Sequence, residues 1–177
     1  MRVQILTGCV AALVVGGCVE GASRERVRRP QHAQLAEQPI SVRIESWGKL
    51  QTAWEIQPDG SGLYRSSVGV GGGFHDYDIV TKRFDGGREG YSMVEQLLDP
   101  ARRYAGKPLP CGPSVTDAPY GELAWGAPAA EKLAFNFGCL GKKAAAVHER
   151  VETATRMVSQ WAAGAPEVER EQVRSGK

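Results

Sequence analysis

The sequence predicts an α+β fold: one antiparallel sheet of about five or six strands with two helices packed on one face. Three observations predict it. Much of 40–84 alternates apolar and polar residues at the two-residue period of half-buried strands. The links between those stretches are short and rich in Gly, Pro and Asp, which leaves no room for a crossover helix and makes neighbouring strands antiparallel. Two later segments, 91–105 and 142–163, repeat apolar residues every three or four positions, the spacing of a helix with one buried stripe.

The first strand is set by Ile40, Val42 and Ile44 alternating with Ser41, Arg43 and Glu45. After Trp47-Gly48, a second strand carries Leu50, Thr52, Trp54 and Ile56 on one side. Pro58-Asp59-Gly60-Ser61-Gly62 supplies hairpin turn residues, because glycine takes positive φ without a Cβ clash. The return strand covers 63–70. A glycine-rich link, Gly69 to Gly73, leads to a further strand over 76–84, and Asp85-Gly86-Gly87 makes another turn. The first helix holds Tyr91, Val94, Leu98, Ala101 and Ala105 on one stripe and ends before Gly106 and Pro108. Two short strands follow, 122–125 and 132–137, the second with Leu133, Phe135 and Phe137 on one face. The last helix, 142–163, is the cleanest amphipathic segment: Val147, Val151, Ala154, Val158, Trp161 and Ala162 share a side away from Arg150, Glu152 and Arg156.

The chain has 177 residues, room for one core, and four Trp with nine Phe plus Tyr to fill it. The folded domain is expected over 39–163. Residues 18–38 carry Arg, Glu, Gln and Ala with scattered apolar positions and read as a flexible tether. Gly164, Pro166 and the charged run after them read as a disordered tail over 164–177.

The first eighteen residues have a different character. Met1-Arg2 precedes a short apolar stretch, 3–15, broken only by Gln4 and Thr7, and Gly16-Gly17-Cys18 follows. This is the layout of a secretory signal, too short for a permanent span of about 20 apolar residues. Val15-Gly16-Gly17-Cys18 resembles the lipobox of bacterial lipoproteins, with Val15 where leucine is usual. Leu6-Thr7-Gly8-Cys9 has the same form but almost no apolar stretch before it. The resemblance covers about a tenth of the chain. It implies that residues 1–17 are a cleaved signal peptide and that Cys18 is the lipid attachment site, diacylated and palmitate-bearing. The membrane is then a partner through the N-terminal lipid. Val19 after the cysteine resembles cargo sent to the outer membrane, so the expected location is the cell envelope, anchored in the outer membrane and facing the periplasm.

With Cys9 removed and Cys18 lipidated, two thiols remain, Cys111 and Cys139, each beside glycine and 28 positions apart. Outside the cytoplasm such a pair is most simply a disulfide, and closing that loop stabilises by roughly 3 to 4 kcal/mol. A thiol enzyme would need Cys–His chemistry from His75 or His148, which the spacing does not demand. No paired Cys-x-x-Cys or His-x-His spacing points to a metal, and no cofactor is expected. Without Arg2 the 22 basic residues become 21 against 20 acidic ones, a balance that gives no pull toward nucleic acid. The cluster Arg24, Arg26, Arg28 and Arg29 is diluted by Glu20 and Glu25 and reads as a solvated tether beside a membrane.

The glycines at 69 and 71–73 lack the lysine and following helix of a phosphate cradle. Asp76, Asp78, Asp85 and Glu89 read as a solvated face; Asp76 and Asp78 alone share a strand face. Ser61 lies in a turn, not a nucleophile elbow. The candidate binding face is Trp47, Trp54, Tyr64, Arg65 and Tyr77, with Arg43, Lys82 and Arg83 interleaved, suited to an envelope protein or glycan. The function expected is a lipid-anchored, non-catalytic binding or structural module of the cell envelope. The rivals are an inhibitor of an exogenous hydrolase, similar to small periplasmic lysozyme inhibitors in size and location alone, and a cell-envelope hydrolase using Asp76 or Asp78 with His75.

Overall fold

The computed structural model describes residues 37–70, 76–126 and 131–174. In chain order they form β1 (Ile40–Ser46), β2 (Lys49–Ile56), β3 (Ser61–Gly69), β4 (Tyr77–Asp85), α1 (Gly87–Arg102), β5 (Tyr120–Trp125), β6 (Glu131–Asn136), α2 (Lys142–Ala163) and β7 (Glu167–Val173). The sheet is antiparallel throughout, in the order β6-β5-β1-β2-β3-β4-β7. The fold class is the one the alternation and periodicity predict, and α2 spans the expected residues. The strand count is higher, seven against five or six.

Strand parity decides what is buried. Ile40, Val42 and Ile44 of β1 stand opposite Ile56, Trp54 and Thr52 of β2, and on the other flank Ile40 and Val42 stand opposite Trp125 and Leu123 of β5. These rows meet Tyr91, Val94, Leu98 and Ala101 of α1 and Val147, Val151, Ala154, Val158 and Ala162 of α2 in one apolar cluster. Each large aliphatic or aromatic side chain buried there contributes roughly 1.5–3 kcal/mol before the entropy of ordering it is subtracted. The buried Trp54 indole is paired: its Nε1–H donates to Thr155 Oγ1 at 3.0 Å, tying β2 to α2. Tyr91 fixes where the chain joins the domain, its hydroxyl accepting from Gln38 N–H at 3.2 Å and donating to the Gln38 carbonyl at 2.7 Å.

Two cross-strand pairs use glycine to seat a ring. Gly62 lies opposite Phe84, and Gly121 opposite Phe135. A Cβ on Gly62 would stand 2.3 Å from both the Phe84 ring and the Glu55 carbonyl oxygen; one on Gly121 would stand 2.2 Å from the Arg43 carbonyl oxygen and 2.7 Å from the Phe135 ring. The missing side chain is the space that the ring of the neighbouring strand fills.

Two expectations are corrected. The tail expected to be disordered from 164 supplies β7, which pairs with β4 from Tyr77↔Val173 to Lys82↔Glu167. Its sequence, EVEREQV, has no buried face and only Val173 is half-buried, so no hydrophobic period announces it. The second is a register shift near Ile44/Glu45, where Ile44 pairs with Thr52 but Glu45 pairs with Leu50. The row that begins Ile56, Trp54, Thr52 is therefore interrupted at Gln51, and Leu50, though buried, lies outside the main cluster.

Replacing Gly121 by Ala is expected to destabilise the domain by about 1–3 kcal/mol through overpacking against backbone. Chemical denaturation of parent and variant checks it; equal midpoints would show that the pair relaxes freely.

Candidate functional site on the open sheet face

Because both helices lie on one side, alternate residues of every strand point to a face that no described element covers. One row across it reads Glu122, Arg43, Ala53, Arg65, Thr81 and Glu169, and the next includes Ser41, Glu55, Leu63 and Arg83. Ala53 is small and sits between two arginines, so the face dips there. The resulting trough encloses about 220 Å³ and is lined by Ser41, Arg43, Ala53, Glu55, Leu63 and Arg65. A second hollow of about 230 Å³ continues from Glu55 and Leu63 to Arg83. The charges around the trough alternate: Arg65 bonds Glu171 at 3.2 Å, Lys132 bonds Glu122 at 2.7 Å, and Arg43 bonds Glu45. Such ion pairs are exposed and contribute little stability, which leaves the arginines able to exchange partners. Chemically, the trough presents an apolar floor with guanidinium groups on both sides, a shape for an extended, partly anionic strand of polymer or a protein surface.

The five residues expected to form one binding face do not. Trp54 is buried and points to the helices, and Tyr64, paired with it across β2 and β3, packs against the same core. Arg65 and Tyr77 share the open face, with Lys49 Nζ 4.5 Å from the Tyr77 ring centroid. Trp47 is 68% exposed in the turn between β1 and β2. Lys82 also belongs to the helix side, where its Nζ donates to the Ala163 carbonyl at 3.1 Å. Arg43 and Arg83 stay with Arg65. Ala53 and Leu63 were missed because neither residue type signals a site; parity relative to Trp54 was the signal that could have found them.

Cys111 and Cys139 form a disulfide with their Cα atoms 4.5 Å apart. Backbone bonds fasten the same two loops together, from Gly141 N–H to the Cys111 carbonyl at 2.7 Å and from Leu140 N–H to the Pro113 carbonyl at 2.8 Å. The sulfurs are thus structural. Cys18 and His75 lie outside the described residues. His148 is buried against Phe137, ring centroids 4.9 Å apart, and desolvation lowers its imidazole below the ordinary value. Asp85 and Asp78 stand near opposite ends of β4, which separates the acidic residues that sequence proximity had grouped.

Asp78 has a defined task. Its carboxylate accepts from Arg174 Nη2 at 2.7 Å and Arg170 Nη1 at 3.1 Å, while Arg170 also forms a two-pronged pair with Glu167. Hydrogen bonds from the two guanidinium groups hold the Asp78 carboxyl below the usual aspartate range. It is a latch between β4 and β7 and stays ionised. A carboxyl whose folded pKa is depressed stabilises above its unfolded value, near 4, and that stability is lost as pH falls through the folded value. Below about pH 4 the backbone amides of β7 should therefore lose protection, corrected for intrinsic exchange, before those of β1 do, and Asp78→Asn should produce the same selective loss at neutral pH. Uniform loss across the sheet would contradict the latch.

Trp47 departs from local preference. It has φ 54° beside Gly48 at φ 73°, the left-handed pair of a tight hairpin turn in which Asn-Gly is favoured. A bulky residue in that conformation costs roughly 1 kcal/mol, and Trp47 is too exposed to recover this by packing. Trp47→Asn is expected to raise the unfolding free energy by about 1 kcal/mol, read from denaturation midpoints; a destabilised variant would mean that the indole supports the hairpin. No protein-family model, curated protein or solved structure matches the chain.

Proposed function

We propose that this chain is a lipid-anchored protein of the cell envelope whose α+β domain is a non-catalytic binding module, with the trough on the open sheet face receiving the partner. The observation that carries the reading is the asymmetry of the sheet. One face is filled by two helices, while the other is shaped around Ala53 and Leu63 and flanked by Arg43, Arg65 and Arg83. A disulfide is most durable in an oxidising compartment, which agrees with the secretory signal and lipobox-like Val15-Gly16-Gly17-Cys18. Asp78, the strand carboxylate considered for acid–base chemistry, is engaged by two arginines, which supports binding over hydrolysis. An envelope protein or glycan with carboxylate or phosphate groups suits the trough, because guanidinium groups recognise such anions in two-pronged fashion.

One experiment in the native host has two arms. Mass measurement of the mature protein should find Cys18 as a diacylated N-terminus, and Cys18→Ser should move the protein out of the membrane fraction. A photo-crosslinker at position 53 should give a discrete adduct that Arg65→Glu weakens several-fold. Retention of Met1 with an unmodified Cys18 would overturn the anchor. Absence of any adduct that depends on Arg65 would overturn the trough.

A further inference from the structure

One end of the sheet collects the apolar side chains that the fold leaves exposed. Nine large hydrophobic residues are exposed among the described residues, and six of them, Trp47, Val68, Val70, Val115, Tyr120 and Leu140, belong to the same end. Strand polarity establishes this. β1 and β3 finish there and β2, β4 and β5 begin there, so the Trp47 turn, the end of β3 and the start of β5 are neighbours along one rim. Leu140 and Val115 join it beyond β6, where Val115 N–H bonds the Gly138 carbonyl and Leu140 follows the disulfide. The other three, Leu63, Met93 and Val168, are scattered over the open face, α1 and the start of β7.

The rim is also basic. Lys142 and Lys143 follow Leu140 closely, are exposed, and make no ion pair among the described residues. The carboxylates of Glu45 and Asp78 at this end are already neutralised by Arg43 and by Arg170 and Arg174. Lys142 and Lys143 then outnumber Asp117. Tyr and Trp at loop tips beside lysines form the composition that settles at the boundary between lipid headgroups and acyl chains. Spacing argues the same way, since the apolar residues are spread along the rim, on the Trp47 turn, the end of β3, the start of β5 and the loops that carry Val115 and Leu140. A row of separate tips fits a planar, deformable surface.

We propose that this rim docks onto an anionic lipid bilayer, Trp47 and its apolar neighbours entering the headgroup layer while Lys142 and Lys143 meet headgroup phosphates. The contact is distinct from the anchor. The chain joins the domain at Ile40, at the opposite end of β1, so the rim lies a full strand length from that attachment.

The test uses the full chain carrying Cys18→Ser, so that no lipid on that residue contributes. Phosphatidylglycerol–phosphatidylethanolamine vesicles are prepared with and without brominated acyl chains. Brominated lipid should quench a component of tryptophan emission that is missing in Trp47→Phe, and vesicles should cut iodide access to Trp47 several-fold. Lys142→Glu with Lys143→Glu should raise the vesicle concentration needed for half-maximal quenching roughly tenfold or more. Equal bromine quenching in parent and Trp47→Phe would overturn the proposal, as would unchanged iodide access. Either result leaves the anchor reading untouched, because every sample lacks the Cys18 thiol. Unaltered circular dichroism confirms that Trp47→Phe, at an exposed position, preserves the fold.

Discussion

The structure depends on the apolar layer between β1 and α2. β1 lies inside the sheet with β2 and β5 on its flanks, so its three inward residues are buried from every side. α2 answers with a stripe that combines Ala144, Ala154 and Ala162 with Val147, Val151 and Val158. The small residues bring the helix axis close, and the branched ones fill the space between sheet rows. Neither element is stable alone: a strand row of Ile40, Val42 and Ile44 needs a cover, and a helix of this composition gains most of its stability by packing. α1 and the Gly–Phe pairs extend the same layer sideways.

Around that layer, the peripheral segments are held by means other than burial. The chain is tied on by the Tyr91 hydroxyl at Gln38, the loop after α1 by the Cys111–Cys139 disulfide, and β7 by its ladder with β4 and the arginine–Asp78 latch. These fastenings contain few apolar atoms. They let the chain close its edges without a second core, which a domain of this size could not fill. β7 also covers β4, whose Asp78, Ile79, Val80 and Thr81 are all buried and would otherwise form an exposed sheet edge.

This division explains what the sequence reveals and what it hides. Wherever burial drives an element, the period is visible: β1, β2, α1 and α2 could be read from Ile40, Trp54, Leu98 and Val151 and their neighbours. β7 could not, because its partners are backbone groups and arginines, and EVEREQV shows no alternation that a lone segment would reveal. The binding face failed for another reason. Trp54 and Ile56 were correctly placed on one side of β2, yet which side faces the helices follows only from the whole sheet. Tyr64 then shares the fate of Trp54 through register, a property of strand pairing that composition does not carry. The position of β5 beside β1 likewise required the structure, since α1 and the long loop after it separate the two in sequence.

The two tryptophans of the first hairpin show why an exposed aromatic and a buried one mean different things. Trp54 fills the core and bonds Thr155, so both its volume and its indole N–H are accounted for by the fold. Trp47, seven residues earlier in the same hairpin, sits at positive φ in a turn where Asn would be less strained, and most of its surface faces outward. Folding gives no return for that choice. The same holds for Leu140 beside the disulfide and Tyr120 at the start of β5, both of which are exposed. Side chains that weaken or ignore the fold, gathered at one end of one sheet beside Lys142 and Lys143, which make no ion pair among the described residues, fit the bilayer contact proposed for that rim. The open-face trough is built differently, from parity-placed arginines over small residues. The domain thus presents two surfaces of unlike chemistry, and the sheet holds them in a fixed relation to each other.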